Sequence, residues 1–109
     1  MALRGLFTEK KMLNLEKIIH ESLTDVELVL FYGKVKDFNA TKGYAVLEQS
    51  RLVFQSKANS AVKYIAYRIS VLDGEYVIAK NSNGARTMPM DTEEFLIDIR
   101  RFIRGETWL

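Results

Sequence analysis

The stretch Gly43–Ser56, "GYAVLEQSRLVFQS", limits the possible fold more than any other part of the chain. Two apolar arms flank the polar pair Gln49-Ser50, and side chains in a strand alternate between faces. Pairing the arms about that break sets Glu48 opposite Arg51, Leu47 opposite Leu52, Val46 opposite Val53, Ala45 opposite Phe54 and Tyr44 opposite Gln55. One face then holds Ala45, Leu47, Leu52 and Phe54, all apolar. The other holds Tyr44, Val46, Val53 and Gln55, with Glu48 and Arg51 at its end. A slip by one residue mixes the faces, so the hydrophobic pattern fixes the register. Gln-Ser is a poor two-residue type I′ turn, and a four-residue loop over Glu48–Arg51 serves the same pairing. Glu48 and Arg51 are expected as an exposed ion pair at the tip, worth about 0.2–1 kcal/mol.

The flanking segments extend this sheet. From Lys11 to Leu23, the residues Met12, Leu15, Ile18, Ile19 and Leu23 recur at helical spacing, and Thr24-Asp25 ends the predicted helix. Val26–Val35, "VELVLFYGKV", is β-branched and aromatic with nearly continuous apolar content, which predicts a strand covered on both faces. Further strands are expected in Ala61–Tyr67 and on both sides of Asp73-Gly74, a strong hairpin dipeptide. "NSNG" (Asn81–Gly84) reads as the next turn. A last short strand in "ARTMPM" is ended by Pro89. Asp91 with Glu94 three residues on forms a capping box. Phe95, Leu96, Ile99, Phe102 and Ile103 then make one apolar helical stripe, with Arg100, Arg101 and Arg104 at the cation-favouring end and Gly105 as the stop.

With 109 residues the chain makes one domain. A net charge of +2 gives no bulk attraction to nucleic acid. The absence of cysteine removes disulfides, thiolate nucleophiles and cysteine-based zinc sites. No apolar run approaches the roughly 18 residues of a membrane span, and "MALRGLFTEKK" lacks the apolar core of a secretory signal. A cytoplasmic protein is expected.

The hairpin, the following "YIAYRISVLDGEYVIA" and the closing "TEEFLIDIRRFI" resemble the bacterial pleckstrin-homology-like domains and their GRAM-like relatives. Gly43, Tyr44, Arg51, Leu52, Phe54, Tyr67, Ile69 and Ser70 match that pattern, over about Leu28 to Arg104. The usual hairpin Thr is replaced by Glu48, and the N-terminal helix is an addition. The resemblance implies an α+β, mostly β fold: a partly open barrel of about seven antiparallel strands, capped by the C-terminal amphipathic helix. Residues 1–25 are then an N-terminal tail and helix, 26–90 the sheet, 91–104 the closing helix and 105–109 a tail. It also implies no catalysis; such domains bind lipids, peptides or proteins, and some look like ring-forming oligomers.

Chemistry-bearing residues are few. His20, the sole histidine, sits in a helix beside Glu21 with no nucleophile or carboxylate marked for it. Asp91, Glu93 and Glu94 are explained by capping, and no phosphate loop or metal motif occurs. Neither an enzyme nor a cofactor is expected. Lys34, Lys36 and Lys42 surround the first expected inter-strand loop. The corresponding loop of eukaryotic pleckstrin-homology domains binds phosphoinositides, so similarity allows peripheral binding of anionic lipid headgroups at an anion grip in which Lys34 and Lys36 share a strand face. Tyr44, Val46 and Val53 form an apolar outer face that must be covered by the chain's own first helix, by another copy or by a partner. Trp108 in the tail "ETWL" either anchors a partner or packs back. The leading expectation is a non-catalytic module that self-associates or docks a protein; the alternative is lipid binding.

Overall fold

The computed structural model describes residues 14–56, 63–83 and 86–106. Helix α1, Leu15–Ser22, opens at Asn14, whose extended backbone leaves its side chain free to accept from the Lys17 amide at 3.0 Å. Its stripe Leu15, Ile18 and Ile19 is buried, as is Leu23 just past its end; Met12 and the first residues of the expected helix lie outside the described residues. The Leu15 amide donates to the Gln49 carbonyl, tying α1 to the first hairpin.

The segment expected as a doubly covered strand is instead helix α2, Asp25–Asp37. Thr24 caps it, accepting from the Glu27 amide, while the Glu27 carboxylate accepts from the Thr24 amide. This capping box satisfies two donors that a helix start leaves open, and it outweighs the β-propensity of Val, Phe and Tyr, which is weak and set by context. Thr24-Asp25 therefore ends one helix and starts the next. A single π-helical turn, Phe38–Lys42, continues α2. Gly43 then reverses the chain at φ +138°, a backbone region that disfavours any side chain.

Five strands follow: β1 Gly43–Leu47, β2 Arg51–Ser56, β3 Tyr64–Leu72, β4 Glu75–Ser82 and β5 Met88–Met90. They form one antiparallel meander in sequence order. The register of the first hairpin is the one its pattern demands, from Tyr44 opposite Gln55 to Leu47 opposite Leu52. Asp73 and Gly74 both take positive φ between β3 and β4, as a two-residue type I′ turn requires. Two differences lower the strand count from seven. Val26–Val35 is helical, and the two strands expected on either side of Tyr67 are one continuous strand, β3. The described sheet is open, not a barrel, and helix and strand have comparable shares.

Helix α3, Thr92–Ile103, has the predicted capping box: the Asp91 side chain accepts from the Glu94 amide at 2.8 Å, and Glu94 accepts in return from the Asp91 amide. Gly105, at φ +83°, follows its end. Phe95, Ile99, Phe102 and Ile103 are buried in one cluster with α1, Phe31 of α2 and the sheet residues Leu52, Phe54, Ile65, Tyr67, Ile69 and Ile78. Phe102 stands between layers, its ring 6.1 Å from Phe31 and 4.6 Å from Phe54. All three helices thus feed a core on one face of the sheet.

Candidate interaction surface

Because paired residues in a sheet share a face, the register places Tyr44, Gln55 and Tyr64 in one row of the opposite face, followed by Val46, Val53, Ala66 and Asn81. Arg51, Arg68, Ala79 and Pro89 make the next row, and Ser70 and Val77 the one after. The buried stripe of α1, expected as one way of covering this face, is instead clustered with the inner side. Tyr44 is exposed and donates its hydroxyl to Gln55 at 2.6 Å; Val46 and Val53 are half-buried. Tyr64 donates to Asn81 at 2.6 Å. Arg51 is held by Glu48, the expected tip pair, whose hydrogen bond raises the guanidinium's pKa. Arg68 is exposed and has no ion-pair partner among the described residues.

The three candidate lysines are exposed. Lys34 and Lys36 occupy the last turn of α2, and Lys42 ends the π-helical turn. Residues two apart in a helix point about 200° apart, so Lys34 and Lys36 do not share a face as they would in a strand. The Lys34 amine lies beside Gly105 at the C-terminal end of α3, where a cation suits the helix dipole. Trp108 lies outside the described residues.

Two features escaped the sequence reading. The first is the outward side of α2. Leu28, Phe31 and Val35 face the core, yet Val26 and Val29 are 69% and 72% exposed, with Leu30 and Tyr32 beside them. A helix apolar on both sides is normally buried on both. Its signal was the capping box Thr24-x-x-Glu27 ahead of an apolar run.

The second is a polar cluster between β4 and α3. Asp98 is 8% exposed, and its Oδ2 accepts from the Tyr67 hydroxyl at 2.7 Å and from Lys80 Nζ at 2.8 Å. Lys80 also lies 5.8 Å above the Tyr67 ring, a cation–π distance. Burial first, then the bond to Asp98, pushes the Tyr67 hydroxyl far above its ordinary range, so it serves as a fixed donor. Lys80 and Asp98 also line an open cleft of about 370 Å³, together with Met88, Pro89, Met90, Glu94 and Ile97. Asp98 falls between Phe95 and Phe102 on the predicted apolar stripe, and a carboxylate there was the clue.

The arginines at the end of α3 are all ion-paired. Arg100 pairs with Glu27 at 2.9 Å, while Arg101 and Arg104 both pair with Glu106. Those bonds hold the Glu27 and Glu106 carboxyls below their ordinary range. His20 is exposed in α1 and shares a 2.7 Å hydrogen bond with Tyr32. Among the described residues no helix is long and apolar enough to cross a membrane. No family model matches the chain, and no curated protein or solved structure matches it either.

Proposed function

We propose that the protein is a non-catalytic interaction module that associates with copies of itself or docks a protein partner, self-association being the favoured reading. The observation that carries this reading is apolar surface in excess of what the described residues of one copy cover. An antiparallel sheet with one wet face ordinarily alternates polar residues outward. This one instead turns Val46, Val53, Ala66, Val77 and Ala79 away from its core, in addition to the apolar outer side of α2. Arg68, exposed among these residues, suits a partner surface that is apolar with a carboxylate at its centre. The meander closed by a C-terminal helix supports the pleckstrin-homology-like reading of the sequence, with a sheet more open than that family's barrel.

The test is solution mass by light scattering over a range of concentration. A multiple of the 12.6 kDa chain mass is expected; a single-chain mass throughout would contradict self-association. The second reading, peripheral binding of anionic lipid, draws on Lys34, Lys36 and Lys42, which are exposed and lack ion-pair partners among the described residues. Near-surface lysines add about 1 kcal/mol each to binding an anionic membrane. Vesicle sedimentation that disappears in Lys34→Ala/Lys36→Ala at low salt would favour it.

A further inference from the structure

We infer that the contact between copies is made by α2, packed antiparallel against α2 of a second copy about a two-fold axis; this rests on the self-association proposed above and names its interface.

Val26, Val29, Leu30 and Gly33 fall at i, i+3, i+4 and i+7, one stripe along a helix about 20 Å long. The stripe is opposite Leu28, Phe31 and Val35, so the chain's own core leaves it outside. Gly33 sits in mid-helix, where glycine costs about 1 kcal/mol relative to alanine. A Cβ added there meets nothing within 4 Å. No packing within the described chain calls for its missing side chain, whereas the close approach of a second helix does.

Charge selects the occupant and its direction. Asp25 opens the helix and Lys36 closes it, and neither has an ion-pair partner among the described residues. They are about three turns apart and therefore lie on the same flank of the stripe. A two-fold axis across the stripe keeps the flank and exchanges the ends, bringing Asp25 beside Lys36 of the partner subunit, twice by symmetry. Parallel pairing about an axis along the helices would put the second copy's Asp25 and Lys36 on the opposite flank, level with their own kind, so that neither charge meets its opposite. The same surface is thus complementary to itself in one orientation.

Sedimentation equilibrium on the full chain tests this, with unfolding temperature at high dilution as the control for folding. Wild type is expected to form two-copy species, and Leu30→Glu is expected to be monomeric with its dilute unfolding temperature unchanged. Asp25→Lys or Lys36→Asp alone should weaken dimerisation roughly tenfold, since two attractions become repulsions. The double reversal should restore it to within about threefold, although it leaves both charges wrong for the helix dipole. Gly33→Ala should raise the dilute unfolding temperature and still weaken the dimer. A dimer that ignores the α2 variants and is lost in Val53→Arg overturns α2 as the interface and leaves self-association standing. A monomeric wild type overturns both. A Leu30→Glu chain of unchanged mass but lowered dilute unfolding temperature means that the chain covers this face itself, by residues 1–13 for example, and overturns the inference too.

Discussion

Arg100 and Glu27, 73 residues apart in sequence, join Nε to Oε2 at 2.9 Å and lock α3 onto the start of α2. The same guanidinium donates from Nη2 to the Ser22 carbonyl at the end of α1, and the other Glu27 oxygen closes the Thr24 cap. One carboxylate therefore fixes the meeting point of three helices. Its pKa is lowered, first by the Arg100 hydrogen bond. A carboxyl depressed in the folded state adds stability that is complete above its unfolded value and lost as pH falls through the folded one. The wild-type chain should accordingly lose stability below the ordinary carboxylate value of 4.5, and Glu27→Gln should flatten that loss. Urea titrations from neutral to acid pH check this; identical pH slopes would count against it.

Asp98 is expected to matter more than its neighbours. Asp98→Ala removes the acceptor that the buried Tyr67 hydroxyl and the half-buried Lys80 ammonium share, at a cost of roughly 1–3 kcal/mol. Tyr67→Phe removes one donor and leaves the Lys80 pair, for about 1 kcal/mol. Chemical denaturation of the two variants should rank them in that order.

The two sides of α2 should respond differently to truncation. Phe31, fully buried between Phe102 and Tyr32, should cost about 3–5 kcal/mol as Phe31→Ala. Val29→Ala, two positions earlier, should stay within about 0.5 kcal/mol in dilute solution. Equal costs would mean that the outer side is packed within the single chain.

At the β3–β4 turn, Gly74 holds φ +80°. Gly74→Ala should cost about 1–2 kcal/mol, because an L side chain resists that region, while Asp73→Asn should be nearly neutral. Thermal unfolding of both variants reads the difference.

What the sequence made legible follows from how many physical signals agreed. In the first hairpin, alternation on both arms left a single register, and that register is observed. At α3 the Asp91–Glu94 box, the apolar stripe and Gly105 all marked the same helix. At Val26–Val35 the signals conflicted: β-branched and aromatic residues argued strand, while the Thr24-Glu27 box argued helix, and a continuous apolar run has no period to decide between them. That reading concealed the outer side of α2. It also put Lys34 and Lys36 on one face. The Tyr67–Lys80–Asp98 cluster joins a strand to a helix, so only the Asp on an apolar stripe hinted at it.

The claim that this surface is covered in the working protein is tested most directly by side-chain footprinting with hydroxyl radicals, over an about 100-fold range of concentration. Val26, Val29 and Leu30 should lose reactivity as concentration rises, while exposed residues elsewhere, such as Val71, keep theirs. Unchanged reactivity at all of these positions, and at Val46 and Val53, would contradict the account.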